Sequence, residues 1–178
     1  MPTYIAFLRA INLGATRKFP KADIVRAVEA AGFTDVETHI NTGNVRFVSA
    51  MRSRSRIEAA LEAAFASDRG FEVPTIVYTT AHVAAIAADA ASLAAEHPEA
   101  QRHYIDLLRT EPTVELAAQI EGASSGAAHL VVAGRAVHTL LAPDTALAGA
   151  PVPGIAKLLG VTTNRNVKVI TAIAARWC

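Results

Sequence analysis

Val36-Glu37-Thr38-His39-Ile40-Asn41-Thr42-Gly43-Asn44-Val45-Arg46-Phe47-Val48 reads as two short strands around a tight turn. β-Branched residues and an aromatic recur in Val36–Ile40 and Val45–Val48, and Asn41-Thr42-Gly43-Asn44 supplies residues that tolerate a left-handed backbone. That is the pattern of a β-hairpin. Outward from it, Tyr4–Arg9 is an apolar run that ends in a polar loop, as in a strand buried on both sides. Pro20 suits a first helical turn, Ile24, Val25, Val28 and Ala31 recur at helical spacing, and Gly32 offers a left-handed stop. Beyond the hairpin, Ser55 with Glu58 three residues later reads as a capping box. Ile57, Leu61, Ala64 and Phe65 then form one helical face before Gly70. Val73–Tyr78 is a further strand whose Pro74 lacks a ladder donor, which places it at a sheet edge.

The order over residues 4–78 is therefore β-α-β-β-α-β. Two right-handed crossovers interleaved in this way predict a ferredoxin-like, four-stranded antiparallel sheet in spatial order 4-1-3-2, with both helices on one face. The rest reads as a second α+β unit: an alanine-rich helix (Ala81–Ala95), a strand (His103–Arg109), a helix (Pro112–Ile120), a hairpin around Gly134–Arg135, a Pro/Gly/Ala-rich loop from Pro143 to Gly154, and a closing helix carrying Val167, Ile170, Ile173 and Ala174. The expected fold is α+β with two ferredoxin-like α/β sandwich units, residues 1–79 and 80–178, the second lacking a last strand.

Composition bounds the function. The chain has 178 residues, 52% of them hydrophobic, which is ample for a core and excludes wholesale disorder. With 17 Lys+Arg against 16 Asp+Glu, neither a general polyanion binder nor a polybasic membrane anchor is expected. No run of about 18 uncharged apolar residues suggests a membrane span, and Met1-Pro2-Thr3-Tyr4 opens no signal-like segment. A single cysteine, Cys178, excludes an internal disulfide framework and a Cys-based zinc site. A cytoplasmic location is the expectation.

Two parallel strands opening the first unit would bring their exits together, setting Arg9 and Asn12 beside Asn41, Thr42, Gly43 and Asn44. Guanidinium, carboxamide and turn amides together suit an anionic or amide-bearing ligand. Farther on, Thr162-Thr163-Asn164-Arg165-Asn166 precedes the last helix, with Thr163 or Asn164 as its cap. An Arg165 at a helix N-terminus opposes the macrodipole, a conflict that a bound anion, or an arginine turned into solvent, removes. The six histidines are scattered, and His103 and Asp106 face opposite sides of one strand, a poor metal pair. Paired aromatics of an RNA-recognition sheet are missing, and so are phosphate-loop and nucleophile-elbow motifs.

Three of these segments, Phe7-Leu8-Arg9-Ala10-Ile11-Asn12-Leu13-Gly14-Ala15, Thr38-His39-Ile40-Asn41-Thr42-Gly43-Asn44-Val45 and Thr162-Thr163-Asn164-Arg165-Asn166, resemble the signatures of the DUF1697 family, a domain of unknown function. Arg9, Ile11, Asn12, Gly14, Gly43, Asn44, Thr162, Thr163, Arg165 and Asn166 match. Ala10, Ala15, Thr42 and Val167 depart from the usual Gly, Gly, Ser and Trp, which narrows the loop backbone and removes a stacking platform. The resemblance implies an α/β structure with ferredoxin-like units and no particular activity. The expected function is binding of a small anionic ligand, a metabolite or nucleotide phosphate, by Arg9, Asn12, Asn41, Thr42, Gly43, Asn44, Thr163, Arg165 and Asn166. No general base or nucleophile stands out there, and cofactor and oligomeric state stay open. Two other readings stand beside it: a nucleic-acid-binding module, and a protein–protein interaction domain without catalysis.

Overall fold

The computed structural model describes residues 1–14, 16–143, 145, 152 and 154–178. The reading of 143–154 as a loop therefore falls mostly outside the described residues, as does Ala15. Elements follow in the order β1 (Thr3–Leu8), α1 (Lys21–Ala30), β2 (Thr34–His39), β3 (Asn44–Val48), α2 (Arg54–Arg69), β4 (Thr75–Thr79), α3 (Thr80–Glu96), β5 (Arg102–Leu108), α4 (Val114–Glu121), β6 (Ala128–Ala133), β7 (Ala136–Leu141), β8 (Thr162–Asn166) and α5 (Val167–Trp177). They form an α+β fold with two four-stranded antiparallel sheets, ordered β2-β3-β1-β4 and β6-β7-β5-β8. Two compact units result, residues 1–82 with Trp177 and residues 83–176 with Cys178. Among the described residues no helix is long and apolar enough to cross a membrane.

In the first unit β1 is the central strand, with Tyr4 opposite Phe47 on β3 and Ala6 opposite Val77 on β4. Tyr4, Ala6 and Leu8 point to the face covered by α1, through Ile24, Ala27 and Val28, and by α2, through Ile57, Leu61 and Phe65. The alternate residues Ile5 and Phe7 are fully buried as well. Each such apolar side chain contributes about 1.5–3 kcal/mol by leaving water. β4 lies at the edge, as its Pro74 requires.

That edge is closed by the helix beside it. The Glu58 carboxylate accepts the Val77 N–H at 3.0 Å and Glu62 accepts the Thr75 N–H at 2.8 Å. Four residues of helix rise about 6 Å and two residues of strand span nearly the same, so carboxylates one turn apart meet alternate strand amides. Glu58 is thus a buried edge acceptor, 4% exposed, and not half of a capping box. The cap of α2 is Ser53, two residues earlier than Ser55, whose hydroxyl accepts from the Arg56 N–H. The second unit closes its β6 edge in the same way, with Ser124 accepting the Leu130 N–H and Glu121 the Val132 N–H. Such cover blunts the tendency of open strands to recruit another chain.

The second sheet repeats the first. Tyr104-Ile105-Asp106-Leu107-Leu108-Arg109 stands where Tyr4-Ile5-Ala6-Phe7-Leu8-Arg9 stands: Ile105 faces Arg165 as Ile5 faces Tyr78, and Leu108 faces Thr162 as Leu8 faces Thr75. The exits agree too. The Leu8 N–H donates to Gly43 and the Leu108 N–H to Arg135, each at 2.8 Å, while the Arg9 and Arg109 N–H groups donate to Pro74 and Val161. The expectation that the second unit lacks its last strand is therefore corrected. Thr162–Asn166 is β8, at the sheet edge. A strand written Thr-Thr-Asn-Arg-Asn carries no apolar alternation; the backbone ladder to β5 holds it.

Replacing Glu58 by Ala removes the carboxylate that accepts the buried Val77 N–H and is expected to cost about 2–3 kcal/mol, with Glu62→Ala costing about half that. Urea unfolding of the two variants checks the ranking. Losses below about 0.5 kcal/mol for both would show that the edge needs neither carboxylate.

Candidate functional site

The loop leaving β1 is tied to the β2–β3 turn by backbone. Gly43 has φ +74°, and a Cβ there would lie 2.7 Å from Leu8 Cβ and 2.8 Å from Ile11 Cδ1. Glycine is demanded both by conformation and by contact. Ile11 seats itself against that bare backbone and is buried. Asn12 follows with a left-handed backbone, φ +56°. Its Nδ2 donates to the Asn41 carbonyl at 2.7 Å, its Oδ1 accepts the Phe19 N–H at 2.9 Å, and its own N–H donates to the Arg17 carbonyl. One carboxamide thus closes the loop and pins it to the hairpin. Phe19 anchors the far end of the loop, fully buried and edge-on to Phe65.

Arg17 fastens the loop from its other side. Its Nε donates to the Ala10 carbonyl and its Nη2 to the Glu72 carbonyl, each at 2.6 Å, with the guanidinium 4.6 Å from the Phe71 ring centre. Nothing in the sequence pattern separated Arg17 from an ordinary loop cation.

A groove of about 550 Å³ opens beside this clamp, lined by Asn12, Gly14, Lys18, Phe19, Pro20, Lys21 and Asn41. It sits at the start of α1, where Pro20 is the N-cap and no side chain caps the first turn. The first-turn acid, Asp23, is already engaged by Arg26 at 2.6 Å and Arg69 at 3.1 Å. Two ammonium groups and a positive helix end therefore dominate the groove. Sequence reasoning found Asn12 and Asn41 and missed both lysines. Their only signal was the spacing Lys18-Phe19-Pro20-Lys21 around a helix start.

The remaining expected residues are placed differently. Asn44 is fully buried and donates to the His39 carbonyl and the Thr42 hydroxyl, so it and Thr42 build the turn. Gly43 is packed under Leu8 and Ile11. Arg9 is exposed, fixed through its backbone to Pro74, and does not line the groove. In the second unit Asn166, and neither Thr163 nor Asn164, caps α5, accepting the Lys168 N–H at 2.9 Å. Arg165 precedes that cap on a strand and is 8% exposed, donating to the Thr163 hydroxyl and the Asn164 carbonyl. Burial lowers its pKa to about 10. The solvent-facing arginine that the sequence allows is not what this strand presents.

The second sheet also holds polar groups that no linear pattern reveals. His103 and His138 meet through Nε2 and Nδ1 at 3.0 Å, and His138 Nε2 has no hydrogen-bond partner among the described residues. Burial drives both rings to a pKa of about 4, aided for His103 by its neighbour. His97 and His129 form a second pair, ring centres 4.5 Å apart. Four of the six histidines are thus paired across the fold. On the opposite face Asp106 is 1% exposed; burial pushes its carboxyl upward while the neighbouring Asn164 side chain pulls it back. Among the described residues no three His, Cys, Asp or Glu side chains gather to hold a metal ion.

The family model described as "Protein of unknown function (DUF1697)" matches residues 1–138. No curated protein matches the chain. Among solved structures, a conserved bacterial protein from Streptococcus pneumoniae is similar with a TM-score of 0.74 and 21% identity, over 98% of this chain and 97% of that one. At that identity the likeness speaks for the fold.

Two left-handed positions beside the groove should respond with opposite sign. Ala10 has φ +56° where the signature has glycine, so Ala10→Gly is expected to stabilise by up to about 1 kcal/mol. Gly43→Ala should cost about 2–4 kcal/mol from strain and overlap. Thermal unfolding compares them, and equal shifts would contradict the geometry. The histidine pair sets a pH dependence. Rings that titrate near 4 when folded and near 6.5 when unfolded bind more protons in the unfolded chain, so stability present above about pH 6.5 is lost as the pH falls toward 4. For one ring the loss is on the order of 3 kcal/mol. Asp106, shifted the other way, opposes it at the acid end. His138→Phe should flatten the profile; an unchanged slope would contradict the assignment.

Proposed function

The chain belongs to the DUF1697 family of proteins of unknown function, and from that premise we propose that the groove at the start of α1 binds a small anionic ligand, a metabolite or nucleotide carrying phosphate. The observation that carries this reading is the pairing of Lys18 and Lys21 on one groove at a helix start without a side-chain cap. The lysines supply point charges and the first-turn amides supply directed donors. Asn41 lines the same groove, while Asn12, occupied with Asn41 and Phe19, shapes it. Gly43, Asn44 and Thr42 act as scaffold, and Arg9 stands outside. Thr163, Arg165 and Asn166 serve in this reading to hold β8 and cap α5. Among the described residues the lining holds amines, carboxamides and apolar atoms, with no carboxylate, thiol or imidazole, so binding without catalysis fits it best.

Amide resonances followed during titration with inorganic phosphate and then AMP test the reading. Saturable shifts are expected at Gly14 and residues 18–24, weakening as salt rises. The Lys18→Gln/Lys21→Gln double variant should bind at least about tenfold more weakly, a loss near 1.4 kcal/mol, with its melting temperature nearly unchanged because both side chains are at the surface. Unaltered affinity in the double variant, or shifts confined to other segments, would overturn it.

A further inference from the structure

At the rim of the second unit two imidazoles share one concave place. His97 follows directly on α3 and still donates its N–H to the Leu93 carbonyl at 2.9 Å. His129 stands on β6, where burial of Ala128 and Leu130 on one face of the strand sends it to the other. The two ring centres lie 4.5 Å apart, with the planes inclined by 41°. Both rings line a pocket of about 260 Å³ with Glu99, Ser125 and Leu140. That separation suits a chelating pair. A metal ion about 2.1 Å from an imidazole nitrogen lies about 3.2 Å from the ring centre, so two rings set roughly 90–110° apart on one ion have centres about 4.5–5.2 Å apart. Glu99 supports the arrangement from behind, its carboxylate meeting His97 Nδ1 at 3.2 Å. The Glu99 carboxyl is held below its usual range by its own backbone N–H first and then by the His97 ring, with the charge of His129 adding to it. A carboxylate on Nδ1 makes that nitrogen the donor and leaves the lone pair of Nε2 for a ligand, the arrangement found behind metal-bound histidines.

We propose that His97 and His129 together bind a divalent transition-metal ion of the Zn²⁺ class, His97 through Nε2, with Glu99 orienting His97 and water filling the other positions. Among the described residues no third His, Cys, Asp or Glu side chain joins them as a ligand. The ion therefore rests on two protein nitrogens, keeps open positions and exchanges with solvent. Imidazole donors suit Zn²⁺, Ni²⁺ and Cu²⁺, whereas Mg²⁺ and Ca²⁺ take oxygen ligands. Access is direct, since His129 is exposed and His97 half-buried. The other imidazole pair differs on each count. His103 and His138 are buried, and they spend Nε2 and Nδ1 on each other.

The test is titration of the isotope-labelled full chain with zinc chloride, and with magnesium chloride as the oxygen-seeking control, followed by amide and imidazole resonances. Zinc is expected to give saturable shifts at the His97 and His129 rings and at residues 97–100 and 125–130, and magnesium none. His97→Gln and His129→Gln should each weaken zinc binding by at least about tenfold, and Glu99→Gln, which removes only the orienting carboxylate, by about tenfold. Their spectra should stay dispersed, because all three side chains lie at the rim. Should a variant not fold, protection of both histidines from diethyl pyrocarbonate by zinc in the unaltered chain is the expected result in its place. Absent or non-saturating shifts, an equal response to magnesium, shifts confined to Cys178 or to other histidines, undiminished binding by a folded His97→Gln or His129→Gln, or modification unaffected by zinc would each overturn the proposal.

Discussion

At the end of β1 the backbone of Gly43 lies against Leu8 and Ile11 with no room for a side chain between them. The Leu8 amide donates to Gly43, so the strand exit and the hairpin turn become one piece. Ile11 is buried against that contact, and Asn12, next in sequence, is delivered to the Asn41 carbonyl. From Asn12 the loop is closed onto Phe19, whose ring is locked in the core beneath α2. The groove at the start of α1 inherits its floor from this chain of contacts. A methyl group at Gly43 would push at each of them in turn, since packed interiors pass strain on.

The second unit shows which part of that arrangement is scaffold. Strand order, register and the exit bonds of Leu8 and Arg9 recur at Leu108 and Arg109. The connections that carry polar chemistry do not recur. The long loop with Asn12, Arg17 and Lys18 has a short counterpart, and Arg135 replaces Gly43 in accepting the strand amide. Rigid strands with divergent loops at one end are a common way for a fold to host binding.

How much could be read in the residues follows from which forces are local. The first sheet was legible because apolar runs, a hairpin turn and the edge proline Pro74 each act within a few residues. β8 was not, since Thr162–Asn166 is a strand only by virtue of the β5 ladder, and its caps-and-turns composition reads as a helix entry. Arg165 goes with it: the sequence sets it before a helix as an anion contact or a solvent-facing cation, and only the strand pairing shows that it is buried. Glu58 was seen as a capping residue because its spacing from Ser55 fits; its real partner, Val77, is 19 residues away. Asn12 and Asn41 were placed together by topology alone. Lys18 and Lys21, and the histidine pairs, needed coordinates, because a groove and a cross-strand contact have no period in sequence.

A crystal soaked in selenate and measured at the selenium edge bears most directly on the claim that the α1 groove is an anion site. An anomalous peak is expected within hydrogen-bonding distance of the Lys18 or Lys21 ammonium and a first-turn amide of α1. It should vanish in crystals of the Lys18→Gln/Lys21→Gln variant. A map with no peak in the groove, or with peaks only at the exposed arginines Arg52, Arg54 and Arg56, would contradict the account.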